Sequence, residues 1–153
     1  MRYKISIAVL LATVVFLISG CRDSSAPTES SVEKPKQKQQ SPSPKYSDAE
    51  ICKGVIAAVM GRDPSIITAS SGSDNVVALS YKRESDGTNW SYRCKVDGGA
   101  ALWASDTGRW RNDPADSKIT LSLSDNEDLV VTETYGDGSN SKSEFSKSQL
   151  SSN

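Results

Sequence analysis

The chain has 153 residues, with 18 basic and 19 acidic side chains, three cysteines and no histidine. This length is typical of one domain, and the near balance of charge lacks the concentrated basic surface that nucleic-acid binding requires. The absence of histidine excludes Ser/His/Asp and Cys/His nucleophilic sites, histidine general bases and most zinc sites, and no cofactor is predicted.

The first residues of the chain have the layout of an export signal. Arg2 and Lys4 precede an apolar run, Ile5 to Leu17, which is followed by the small-residue site Ile18-Ser19-Gly20-Cys21. This stretch resembles the lipobox signal peptide of bacterial lipoproteins, and the resemblance implies cleavage before Cys21 and attachment of lipid to that cysteine. The alternative is an uncleaved membrane helix, which needs ~20 apolar residues, more than this run provides.

The resemblance also implies a location. In that family an aspartate directly after the lipidated cysteine tends to retain the protein at the inner membrane of enteric-type bacteria. The residue after Cys21 is Arg22. The resemblance therefore implies a lipid anchor in the outer membrane, with the domain facing the periplasm.

The segment from residue 22 to 46 is predicted to be a disordered tether. It is rich in Ser, Pro, Lys, Gln and Glu, and it contains one aliphatic residue larger than alanine, Val32, and no aromatic residue before Tyr46. Such a composition buries too little apolar surface to offset the entropy of ordering the chain. Fully extended, a tether of this length reaches roughly 80–90 Å. Its lysines are an alternative contact for anionic surfaces.

A helix is predicted from about Asp48 to Met60. Ser47-Asp48-Ala49-Glu50 has the spacing of a capping box, in which serine and glutamate satisfy each other's backbone donors. Gly61 suits the C-terminal cap, and Pro64 prevents continuation. The apolar residues that recur at helical spacing form one stripe: Ile51, Cys52, Val55, Ile56, Val59 and Met60.

The rest of the chain has the pattern of short strands separated by Gly, Asp, Asn and Pro turns. Connections this short favour antiparallel neighbours, and apolar residues that alternate with polar ones indicate a sheet with one covered and one solvated face. The predicted fold is α+β: a single domain, residues 47–153, with one N-terminal helix packed on an antiparallel β-meander of five to seven strands. The predicted strands are 65–70, 75–84, 88–96, 99–105, 117–124, 129–135 and 141–146.

A predicted hairpin carries the third cysteine, Cys94. The turn at Asp97-Gly98-Gly99 joins two strands, and the alternation before it places Trp90, Cys94 and their even-numbered neighbours on one face, which is predicted to be buried. Cys21 is assigned to lipid, so Cys52 on the helix and Cys94 on the strand remain, in an oxidising compartment. We predict a disulfide between them. The rivals are a reactive thiol pair or metal ligands, but neither cysteine has a CxxC or histidine partner.

The predicted binding surface lies around the second hairpin strand. Tryptophan and arginine together are enriched at binding hot spots, because both offer large, rigid contact surfaces. The alternative for Trp110 is a structural plug that closes one end of the sheet. The candidate binding residues are Arg93, Lys95, Asp106, Arg109, Trp110 and Arg111.

Two classes of function remain open. The first is a non-enzymatic binding or inhibitory module that is anchored to the membrane through Cys21 and contacts an envelope protein or polymer, but no nucleic acid. Its layout resembles that of periplasmic lysozyme-inhibitor lipoproteins and of phage- or plasmid-encoded exclusion lipoproteins, and from Ala49 onward the chain is similar to domains of uncharacterised bacterial lipoproteins. The second is a small envelope hydrolase with a carboxylate pair, although no pair can be singled out among the sixteen acids of residues 47–153.

Overall fold

The computed structural model describes Pro42 and residues 45–151. The predicted signal peptide, Cys21 and most of the predicted tether lie outside the described residues. Within the part of the chain that is described, neither helix has the length and apolar composition that a membrane crossing requires.

The domain consists of one long helix, a seven-stranded sheet and a short C-terminal helix. Every strand pairs antiparallel with the next, in the spatial order β1 to β7, which makes the sheet a simple meander. The predicted α+β fold, with a helix packed on an antiparallel sheet, is therefore confirmed. The elements are α1 (Asp48–Met60), β1 (Thr68–Ser71), β2 (Val77–Lys82), β3 (Asn89–Asp97), β4 (Ala100–Ser105), β5 (Lys118–Leu123), β6 (Leu129–Thr134), β7 (Asn140–Phe145) and α2 (Lys147–Ser151), with a 3₁₀ turn at Pro64–Ile66.

Helix α1 begins and ends at the residues that its sequence predicts. The N–H of Glu50 donates to Ser47 Oγ at 3.3 Å, and the N–H of Ser47 donates to Glu50 Oε2 at 2.8 Å, which completes the capping box. Gly61 ends the helix with φ +59°, a left-handed conformation that costs glycine little. The buried side of the helix is wider than the predicted stripe and includes Gly54 and Ala57.

The two faces of the sheet differ in what covers them. Cross-strand partners share a face, so the register assigns every strand residue to one side. Helix α1 packs against one side, here called the inner face, and the side chains there form one core with the helix. The opposite side, here called the outer face, is covered by neither of the helices that the structure describes. Inner-face members of the core include Val77, Leu79, Cys94, Ile119, Leu121, Leu129 and Val131.

The disulfide between Cys52 and Cys94 is confirmed. Their sulfur atoms are bonded, both residues are completely buried, and the crosslink joins α1 to β3 across the core. Their sequence separation is 42 residues, so the bond closes a long loop and restricts the unfolded chain strongly.

The packed domain begins one residue before its predicted start and contains a C-terminal helix that was not predicted. Tyr46, which the sequence places in the tether, is only 2% exposed, and its hydroxyl donates to the carbonyl of Glu127 at 3.1 Å. At the other end, α2 was not predicted. It packs on α1 through the buried Leu150, and Lys147 Nζ donates to Glu50 Oε2 at 2.6 Å.

Candidate binding surface

Trp90 corrects one prediction, because it is exposed rather than part of the core. Its alternation places it correctly on the inner face, opposite Tyr81 in the register, but 38% of the residue is accessible. The Arg83 guanidinium lies 5.1 Å from the centre of its ring. Trp90 lies near the turn between β2 and β3 and is not part of the core. Alternation therefore predicted the side of the sheet on which it lies but not its exposure.

The segment from Arg109 to Arg111 runs alongside β4. Strands β4 and β5 share only two residue pairs, at Ala100 and Ala101. Beyond them the N–H of Arg111 donates to the carbonyl of Trp103 at 2.9 Å, so the segment occupies the place beside β4 that β5 leaves. Trp110 meets the cations of β3, whereas Arg109 and Arg111 meet Asp116. The three neighbouring residues of this segment are therefore divided between the two faces.

Trp110 lies on the outer face, against two cations of β3. The Arg93 guanidinium is 5.1 Å and Lys95 Nζ is 5.0 Å from the centre of the indole ring, both within the range of a cation–π interaction. Arg93 Nη2 also donates to the carbonyl of Gly108 at 2.7 Å, which fixes the loop that carries the tryptophan. Ala104, the outer-face partner of Arg93, is fully buried beneath this group. We call Arg93, Lys95 and Trp110 the Trp110 platform.

Arg109 and Arg111 lie on the other side and are held by Asp116. The carboxylate of Asp116 accepts from both terminal nitrogens of Arg109, at 2.6 and 2.8 Å, and lies 3.6 Å from Arg111 Nη1. The guanidinium of Arg111 is 5.2 Å from the ring centre of Trp103, an inner-face residue. The hydrogen bonds from Arg109 lower the pKa of Asp116 to about 2, so the carboxylate is charged at neutral pH.

The structure therefore brings together three of the six candidate residues. Arg93, Lys95 and Trp110 form the platform. Arg109 and Arg111 belong to an ion-pair network on the other side of the segment. Asp106 is exposed, and its described contact is a backbone hydrogen bond to the carbonyl of Ser91, outside the platform.

Asp116 is the functional residue that sequence reasoning missed. A local signal for it existed, since the turn of Asp113 to Asp116 closes when the N–H of Asp113 donates to Asp116 Oδ2 at 2.9 Å. That bond points the carboxylate back toward the arginines. Asp116 holds the residues on both sides of Trp110, and the position of the tryptophan thus depends on a carboxylate six residues further along the chain.

The platform has the chemistry of recognition. Its parts are an aromatic ring, two cationic side chains and a loop carbonyl that already accepts a hydrogen bond, which suits contact with anionic or ring-shaped groups. Within the described residues, no three metal-ligating side chains of His, Cys, Asp or Glu come together.

Comparison of the chain with protein-family models, with curated proteins and with solved structures gives no match.

Proposed function

We propose that this protein is a lipid-anchored, periplasm-facing lipoprotein of the bacterial outer membrane and that it acts as a non-enzymatic binding module. Its binding surface is the Trp110 platform, which contacts an envelope protein or polymer. The observation that carries the proposal is the position of Trp110, which is partly exposed on the open face of the sheet between two cations.

The platform is fixed before any ligand arrives. Arg93 is bonded to the loop at Gly108, and Arg109 is bonded through two nitrogens to Asp116, so both sides of the tryptophan are restrained. Binding then orders few side chains, and each rotamer-rich side chain that is already fixed avoids a cost of about 0.5–1.5 kcal/mol. Tryptophan and arginine, which the platform combines, are enriched at binding hot spots.

Two lines support the lipid anchor and the periplasmic setting. The lipobox at Ile18 to Cys21 is a specific motif of bacterial lipoproteins. The disulfide between Cys52 and Cys94 is typical of proteins that fold in an oxidising compartment.

The carboxylate-pair hydrolase remains the second reading. Such an enzyme needs two carboxyl groups about 5–9.5 Å apart across a cleft, one of them free to exchange a proton. Beside the platform the partly buried carboxylate is Asp116, whose pKa is lowered to about 2 by Arg109 and which therefore cannot donate a proton near neutral pH. No described feature favours hydrolysis over binding.

Site-specific photocrosslinking in cells tests the proposal. A photoreactive phenylalanine analogue replaces Trp110, and the matched control carries the same analogue at Ser148, an exposed position on α2. We expect a discrete adduct of higher mass from position 110 and none from position 148. Absence of any adduct at 110, or identical adducts at both positions, would contradict a specific surface at Trp110.

A further inference from the structure

The charges of the strands are sorted by face. Of the eight charged residues in the seven strands, all except Glu133 lie on the outer face by register. Five of the seven on that face are basic and two are acidic. The basic residues are Lys82, Arg93, Lys95, Lys118 and Lys142, and the acidic residues are Asp97 and Glu144.

The net charge of the outer face is opposite in sign to that of the domain. Residues 47–153 carry eleven basic and sixteen acidic side chains. With the outer face set aside, six basic and fourteen acidic residues remain, so an excess of three positive charges on one face stands against an excess of eight negative charges elsewhere. Within the described residues none of the five outer-face cations forms an ion pair.

Protection of sheet edges does not account for the pattern. Lysines on edge strands prevent edge-to-edge association. Among the five cations only Lys142 lies on an edge strand, β7, whereas the other four lie on strands paired on both sides. A solvated sheet face requires polar residues but does not require that they be cations.

Several residues between the cations are short and carry hydroxyl groups. Ser80, Ser91 and Thr120 are exposed, and Thr132 and Thr134 are partly exposed. Short neighbours leave the lysine ammonium groups accessible, and hydroxyl groups can donate hydrogen bonds to phosphate, sulfate or carboxylate oxygens. The outer face thus offers hydroxyl donors beside its cations, together with apolar residues that include Leu102 and Val130.

The cations are spread too widely for a small anion. Lys95 on β3 and Lys142 on β7 are separated by four strand spacings, which is about 19 Å along the sheet. A ligand that contacts both must be extended and must carry repeated negative charges.

We propose that the outer face binds an extended anionic polymer of the cell envelope, which runs from the Trp110 platform across β5 toward β7. The inference deepens the proposed function and rests on it for its biological setting. Charge complementarity attracts the polymer to this face, and the platform gives it a place to stack.

Anionic lipid headgroups carry charges of the same kind as such a polymer. The tether predicted for residues 22–46 is long enough to turn either face of the domain toward the membrane. Binding to lipid headgroups is therefore a separate outcome of the test.

The test uses the full-length protein in neutral detergent and fluorescent dextran sulfate, with uncharged dextran as the control polymer. We expect anisotropy titrations to show saturable binding of dextran sulfate that weakens as salt is added. We expect Lys118→Glu and Lys142→Glu each to weaken binding of dextran sulfate by about fivefold, because each removes a cation from the outer face. Arg62→Glu makes the same change of charge off this face, where the Arg62 guanidinium lies over the ring of the inner-face residue Tyr81, and leaves the affinity within about twofold.

Three results would overturn the inference. They are failure to bind dextran sulfate at low salt, an equal loss in Arg62→Glu, and stronger binding to vesicles with phosphatidylglycerol than to dextran sulfate. If dextran sulfate does not bind while position 110 still crosslinks, the proposed binding function is supported but the anionic polymer is not its ligand. If the lysine variants lose binding of dextran sulfate while position 110 does not crosslink, the outer face binds the polymer but the Trp110 platform is not a binding surface.

Discussion

Replacement of Cys52 and Cys94 by alanine removes the covalent link between α1 and β3 and should destabilise the domain severely. The sequence separation of 42 residues corresponds to about 4 kcal/mol on the chain-entropy model. Both cysteines are completely buried, so loss of each sulfur adds about 1 kcal/mol in transfer and packing energy. The expected total is about 5–6 kcal/mol, comparable with the entire stability of many small domains.

Urea unfolding followed by tryptophan fluorescence measures this loss. For a typical urea slope of about 2 kcal/mol per molar, the midpoint falls by about 2–3 M, or the variant is unfolded without denaturant. The control is wild-type protein that has been reduced in urea and kept reduced, because it lacks the crosslink but keeps both sulfur atoms. It should lose about 4 kcal/mol, less than the double variant. A reduced protein within about 1 kcal/mol of the oxidised form would refute the chain-entropy reasoning.

Three further predictions concern other parts of the chain. Cys21→Ser should move the protein from the membrane to the soluble fraction, and a variant that still sediments with outer membranes would contradict lipid anchoring. Trp90→Ala should lower the free energy of unfolding by about 1 kcal/mol and Trp110→Ala by about 1–2 kcal/mol, both less than the 3–5 kcal/mol expected for a buried tryptophan. Urea unfolding measures both losses, and a larger loss for Trp90→Ala would show that the ring of Trp90 belongs to the core. Burial raises the pKa of Glu50, but hydrogen bonds from Lys147, Ser151 and Ser47 outweigh it, and the pKa falls from 4.5 to about 2. This stabilisation is complete above pH 4.5 and is lost toward pH 2, so unfolding of Glu50→Gln should depend less on pH in that window; parallel pH profiles would argue against the Glu50 contacts.

Local patterns predicted most of the fold because its elements are defined locally. The capping box at Ser47 and Glu50 determines where α1 begins, and alternation with intervening turns identifies the strands within one to three residues. The disulfide followed from two cysteines that lie on apolar faces. Helix α2 was not predicted, because five residues with one buried apolar side chain, Leu150, show no helical period.

Contacts between residues that are distant in sequence could not be predicted from local sequence patterns. Arg109, Trp110 and Arg111 are adjacent in sequence, so they were grouped as one surface. Their partners lie far along the chain or on another strand: Trp110 meets cations of β3, whereas both arginines meet Asp116. The exposure of Trp90 is also a property of the whole fold, because its ring lies against Arg83 and is not part of the core.

The narrow junction between β4 and β5 divides the sheet into two portions that should differ in local stability. Every other neighbouring pair of strands shares four to six residue pairs, whereas this one shares two. The crosslink secures α1 to the β1–β4 portion, so the portion formed by β5–β7 and α2 is held by the helix core and this narrow seam. Its amide protons should exchange with solvent at a lower opening free energy than those of β2 and β3. A protease should therefore reach the second portion first, while the first portion is still folded.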